Sequence, residues 1–174
     1  MLSCSLFKQN INDMKSKTVL VIITVFIGMG ISNAQQNKSE LDKNKQIVAG
    51  FYREVINNKN LDSIGYFLTD DFTHNGDKKG VEGQKAVVKM FLTAFSNLVN
   101  TIEISMAEND LVCVHENWTG KHTGEFMGVP ASDKNVAWTS TAILRIRDGK
   151  IATAWDENDF LGLFMQIGKW PGAK

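Results

Sequence analysis

The chain is poor in cysteine and has no surplus of charge of either sign. Two Cys occur in 174 residues, Cys4 and Cys113, and 19 Lys and Arg balance 19 Asp and Glu. Zero net charge without a basic stripe argues against a nucleic-acid partner. Metal-ligand spacings are missing too: there is no HExxH, CxxC or His-x-His pattern. His115 and His122 stand seven apart, an odd separation that puts them on opposite faces of a regular strand. No P-loop, no strand-borne GxGxxG and no GxSxG elbow occurs. The expectation is therefore no metal, no cofactor and no nucleic acid.

What is present begins with an N-terminal leader. From Met14 the chain runs Lys15-Ser16-Lys17, then an apolar block from Val19 to Ile31, then Ser32-Asn33-Ala34 before polar Gln35-Gln36. A basic start, a short apolar core and small residues at −3 and −1 are the parts of a secretory signal peptide. The apolar block is shorter than the ~20 residues of a spanning helix. We expect an extension and signal peptide over 1–34, cleaved after Ala34. A polar linker at 35–43, a domain at 44–168 and a tail at 169–174 follow. This organisation implies an exported bacterial protein, periplasmic or secreted, without stable membrane anchoring. It leaves Cys113 as the only cysteine, in apolar Leu111-Val112-Cys113-Val114, so no internal disulfide is available.

The whole chain is 43% hydrophobic and 22% charged, an ordinary globular composition. Leu41, Ile47, Val48, Phe51, Tyr52, Val55 and Ile56 predict an amphipathic helix over 40–58. Leu61–Phe67 reads as a second short helix, Phe72–His74 as a short extended piece, and Gly83–Leu98 as the clearest helix. Thr101–Ala107, Leu111–Thr119, Val136–Ile146 and Lys150–Asp156 read as strands. Asp148-Gly149 supplies a hairpin turn, and Phe160–Ile167 a closing helix. Helices followed by a run of strands predict an α+β fold: a curved antiparallel sheet wrapped around N-terminal helices to form a cone.

Alternation puts Ala152, Ala154 and Asp156 on one face of the last strand, and Trp138, Ser140, Ala142 and Leu144 on one face of the strand before it. Small residues beside a carboxylate leave room for a ligand. Asp156 is thus either a working acid/base or a cap on the helix near Phe160, or the partner of an Arg. Trp118 and His122 share a face and could line one wall. His122 is otherwise a hydrogen-bonded strand-end His, and His74 either a pocket group or a surface-loop His.

These fragments have an order. Trp118-x-Gly120-x-His122-x-Gly124-Glu125-Phe126-Met127-Gly128-Val129-Pro130 comes first, then Arg145-Ile146-Arg147-Asp148-Gly149-Lys150-Ile151. Trp155-Asp156-x-x-Asp159, Gly162-Leu163 and Gln166-Ile167-Gly168 follow. From about Asn44 to Gly168 the chain resembles the SnoaL-like polyketide cyclases (ester cyclases) of the NTF2-like superfamily. The resemblance implies a homodimer that closes rings by aldol condensation without metal or cofactor. It implies Asp156 as general base and then general acid, with a raised pKa, and His122 as a hydrogen-bond partner of the developing enolate. His74, Phe91, Phe95, Trp118, Phe126, Met127, Trp138, Ser140, Ala142 and Asp159 are the expected pocket residues. One departure stands out: the aromatic polyketide cyclases tend to carry a second His where this chain has Ala142.

Three functions compete. The first is a cofactor-independent cyclase or lyase acting on a small hydrophobic carbonyl compound. The second is a non-catalytic NTF2-like protein that binds a small apolar molecule. The third is an isomerase or dehydratase, which needs Asp159 or His74 as a second group.

Overall fold

The computed structural model describes Gln35 and residues 37–168. The expected leader, its cleavage site after Ala34 and the 169–174 tail lie outside the described residues. The described residues divide into two units, one ending at Glu40 and the other beginning at Leu41. The described part of the first is helical. Residues 41–43, expected to be linker, are also helical. They contain no Gly or Pro, and Asp42 pairs with Lys45 at 2.9 Å one turn on.

In the second unit, helix α1 covers residues 41–57. Its last stretch, Tyr52–Asn57, widens into a π-helical turn. A 3-10 turn Leu61–Ser63 leads into the short α2, Ile64–Phe67. β1 (Leu68–His74) and β2 (Asp77–Lys78) form a hairpin, and α3 (Gly80–Ala94) follows. Then come β3 (Phe95–Glu108), β4 (Leu111–His122), β5 (Asn135–Arg147), β6 (Lys150–Asn158) and α4 (Phe160–Ile167). The six strands make one sheet in the order β2-β1-β6-β5-β4-β3. The fold is α+β, with N-terminal helices against a curved mixed sheet.

The sheet departs from the expected antiparallel arrangement in one place. β1 runs parallel to β6, because β1 comes from the helical layer while β3–β6 are joined by hairpins. Asp148 and Gly149, with φ of 53° and 75°, close the β5–β6 hairpin as the sequence predicts.

Two further corrections concern register. Phe95 and Leu98 belong to β3, not to the preceding helix. The helix ends at Ala94, and Phe95 is extended and paired with His122. A helix buries Phe95 and Leu98 together by its period; the strand does so only through a bulge, its ladder shifting between Ser96 and Val99 with Asn97 at φ 52°. In β6, Arg145 pairs with Thr153 but Ile146 with Ile151. Ala152 is thus the extra residue of a bulge, which interrupts strict alternation.

The core has two parts. α1, β1 and the inner sheet face enclose Val48, Phe51, Val55, Ile64, Leu68, Val112, Val114 and Leu144. Phe95, Leu98, Phe126, Val136, Trp138 and Leu163 form the second, under α4. α1 is pinned to β3 by a two-way amide clasp: Asn57 Nδ2 donates to the Asn100 carbonyl at 2.9 Å, and Asn100 N–H donates to Asn57 Oδ1 at 2.8 Å.

Gly124 locks the far end. Thr123 and Gly124 N–H both donate to the Ala94 carbonyl at 3.0 Å. A Cβ on Gly124 would meet the Thr93 carbonyl oxygen at 2.4 Å. Gly124→Ala is expected to destabilise the protein by about 1–3 kcal/mol through this overpacking, measured as a lowered urea midpoint; an unchanged midpoint would contradict the contact.

Candidate active site

Between α1, α3 and the concave sheet face lies a cavity of about 90 Å³. Phe51, Ile56, Leu68, Phe72, Val88 and Ile151 make it largely apolar, and its polar groups are few. This is smaller than the ~300–1,000 Å³ of typical small-molecule sites. A compact ligand, or the reactive end of a larger one, suits it.

The parallel junction of β1 and β6 sets the chemistry. His74, the last residue of β1, pairs with Ala154. Its Nε2 is hydrogen-bonded to Asp156 Oδ1, two residues further along β6. The other ring nitrogen, Nδ1, meets Gln84 Oε1 from α3 at 3.1 Å. Asp156 Oδ1 also accepts from Asn75 Nδ2 at 3.1 Å, and Oδ2 from Asn158 Nδ2 at 2.6 Å. Asn75, held at φ 48° in the β1–β2 turn, returns the favour by accepting the Asp156 N–H at 2.9 Å. A carboxylate with three side-chain donors and an imidazole between two acceptors form a completed dyad.

The dyad corrects the expected raised pKa of Asp156. Burial pushes this carboxyl up, but the hydrogen bond and charge of His74, with the Asn158 and Asn75 amides, hold it below its ordinary value. The hydrogen bond to Asp156 raises the His74 imidazole above its ordinary value, against the effect of burial. Between those two values the pair exists as imidazolium and carboxylate. Ala142 lies directly opposite Asp156 on β5. The imidazole is therefore supplied from the other side of β6.

The expected site residues divide into two groups. His74, Phe91, Trp118, Ser140, Ala142 and Asp156 line the cavity. His122, Phe95, Phe126 and Trp138 do not. Trp118 and Trp138 are cross-strand partners stacked at 5.7 Å and 6°. Trp118 faces the cavity, and Trp138 belongs to the second core. His122 lies beyond that stack, fully buried, 5.3 Å from the Phe95 ring. Its Nδ1 accepts the Ser132 N–H at 3.2 Å, and burial lowers its pKa. Shared alternation with Trp118 was sound, but four residues along a strand carry His122 about 13 Å away. Met127 is exposed on a loop at φ 47°. Asp159 caps α4, accepting the Gly162 N–H at 2.8 Å. In β6 the bulge brings Ile151, rather than Ala152, to the cavity beside Ala154.

Sequence reasoning missed Tyr52, Gln84, Glu116 and Asn158, all of which line the cavity. Glu116 is the most telling, being 1% exposed. Val112, Val114, Glu116 and Trp118 alternate inward on β4, a pattern visible in the sequence. Trp118 Nε1–H donates to Ser140 Oγ at 2.8 Å, and Ser140 Oγ–H donates to Glu116 Oε2 at 2.6 Å. Among the described residues, no cluster of His, Cys, Asp and Glu is arranged to hold a metal ion, and no helix is long and apolar enough to cross a membrane.

Known proteins share this architecture. The chain is 30% identical over 126 residues to the aklanonic acid methyl ester cyclase DauD of Streptomyces sp. strain C5, covering 68% of this chain and 78% of that protein. The corresponding cyclase DnrD of Streptomyces peucetius is also 30% identical over 126 residues, with 68% and 87% covered. Among solved structures, TsrD from Streptomyces laurentii superposes with a TM-score of 0.68 at 26% identity, covering 73% of this chain and 96% of that one. The profile of the SnoaL-like polyketide cyclases matches residues 46–167, a span that contains every side chain of the cavity. The chain belongs to the SnoaL-like polyketide cyclase family.

Proposed function

We propose that this protein is a cofactor-independent cyclase in which His74 and Asp156 form the acid–base pair. The observation that carries the reading is the half-buried His74–Asp156 pair opening on an apolar cavity. The carboxylate removes a proton from a carbon next to a carbonyl. The resulting enolate attacks a second carbonyl of the same molecule, forming the ring C–C bond, and the new alkoxide takes the proton back. No net proton is consumed. A carboxylate held below its ordinary pKa is a weak base. It therefore suits an acidic C–H, such as one flanked by two carbonyl groups. Methyl esters of polyketide acids, the class in the names of DauD and DnrD, are the substrates this reading favours.

Asp156→Asn keeps the shape of the side chain but gives up one accepting oxygen and cannot take a proton. Assayed on aklanonic acid methyl ester, turnover is expected to fall by roughly 10²–10⁴-fold with little change in affinity. Wild-type turnover that survives this change would remove Asp156 from the chemistry. A wild-type protein without turnover that retains an apolar molecule through purification would support the binding-protein reading instead.

Stability should report the same pair. His74 has a raised pKa, so its contribution is complete below about 6.5 and is lost as pH rises through the folded value. Asp156 has a lowered pKa, so its contribution is present above about 3.8 and is lost as pH falls through the folded value. The urea-midpoint gap between the protein and His74→Asn should be widest between those limits and shrink as pH rises through the folded His74 value. A gap independent of pH would contradict the ion pair.

Export and self-association complete the proposal. The outer sheet face carries an apolar row in direct cross-strand register, Met106–Cys113–Ile143–Trp155, beside Thr139 and Thr141. Met106, Ile143 and Trp155 are exposed, and a second copy would cover them. Intact mass and light scattering of the exported protein should show a chain starting at Gln35 and a dimer. A retained leader would refute the cleavage, and a monomer at micromolar concentration would refute the dimer.

A further inference from the structure

The acid–base pair leaves a second carboxyl group of the cavity unused. Glu116 stands on β4, with Tyr52 facing it from α1, Asp156 from β6 and His74 from β1; α3 and β5 contribute only neutral Gln84 and Ser140. Asp156 is opposite Ala142, Ala142 is opposite Val114, and Glu116 is two residues along from Val114. Two strand spacings and one two-residue step separate the two Cα atoms by about 12 Å. Both side chains line the same cavity.

The hydrogen bonds favour one place for the proton of a neutral Glu116. Ser140 Oγ accepts from Trp118 Nε1–H and gives its own proton to Glu116 Oε2. With the serine proton on that bond, Oε2 is the acceptor. Oε1 is buried and makes no well-formed hydrogen bond among the described residues, with Tyr52 and Asn100 the side chains near the carboxyl. A neutral acid consequently carries its proton on Oε1. A buried donor without an acceptor costs free energy that a ligand oxygen would recover.

We infer that Glu116 is held as the neutral acid and that its Oε1–H is the hydrogen-bond donor for the carbonyl oxygen of the ligand. The inference rests on the cyclase reading for its chemistry: when the dyad removes the neighbouring C–H proton, the electron pair moves onto that oxygen. Glu116 keeps its own proton throughout, and the charge returns when the C–C bond forms. This fills the enolate-stabilising role expected of His122, which the Trp118–Trp138 stack keeps out of the cavity. The electrostatics agree. Burial raises the Glu116 pKa, and the Asp156 charge adds to it, against the opposing effect of Ser140, Tyr52 and Asn100. The two cavity carboxyls are thus pushed in opposite directions, as separate base and donor roles require.

The test uses 1,3-cyclohexanedione, a compact enolisable diketone, and needs no turnover. With carboxyl-labelled glutamate, NMR should show one carboxyl, absent from Glu116→Gln, that stays protonated well above 4.5 and shifts when the diketone is added. Glu116→Gln retains an acceptor for Ser140 and an N–H donor, so its affinity should lie within about threefold of wild type. Glu116→Leu should bind about 3–10-fold more weakly. Titration alongside the surface glutamates, absence of a diketone-induced shift, or equal affinities for the Gln and Leu variants would overturn the assignment. If the Leu variant does not fold, the titration and the shift in the wild-type protein decide it. Absent turnover together with a surviving Gln/Leu difference would remove the cyclase reading while leaving Glu116 as a ligand donor.

Discussion

The site depends on one electrostatic constraint: an imidazolium and a carboxylate meeting at the edge of an apolar cavity. Neither charge is tolerable there alone. His74 and Asp156 satisfy each other, and Gln84, Asn75 and Asn158 satisfy what remains. The parallel pairing of β1 with β6, the left-handed turn at Asn75 that returns its amide to Asp156, and the position of α3, which brings Gln84, meet this requirement. The rest of the cavity is free to be greasy.

Seen this way, Ala142 is less a loss than a change of side. The resemblance leads one to expect an imidazole from β5, across from the acid. Here the imidazole comes from β1, at the other flank of β6. Ala142 then leaves space over the carboxylate instead of a second basic group. The inner wall of the cavity is closed by a separate chain of hydrogen bonds, Trp118 to Ser140 to Glu116, which does not touch the dyad.

Much of this was legible in the sequence. The alternation of Ser140, Ala142 and Leu144 places one wall correctly, and the Asp148-Gly149 turn sets the β5–β6 hairpin. Asp156 on the last strand, with space beside it, is also visible. What was not legible depends on tertiary pairing. Phe95 and Leu98, three apart, fit a helix face, and only the bulged ladder to β4 buries both on a strand. The Ala152 bulge adds one residue that no local pattern marks. His122 shares a face with Trp118, yet sits one stacked tryptophan pair too far. Glu116 could have been found, since it continues the inward series from Val112 and Val114. A charged residue on an inward position is the signal to look for.

The account turns on the place where a ligand's reactive carbon rests. A crystal structure of the protein with aklanonic acid methyl ester tests this most directly. The account places the carbon beside the ester or ketone carbonyl within about 3–3.5 Å of the Asp156 carboxylate or His74 Nε2, with the carbonyl oxygen turned toward Glu116. A ligand bound only on the outer sheet face, or with that carbon on the far side of Trp118 against His122, would contradict it.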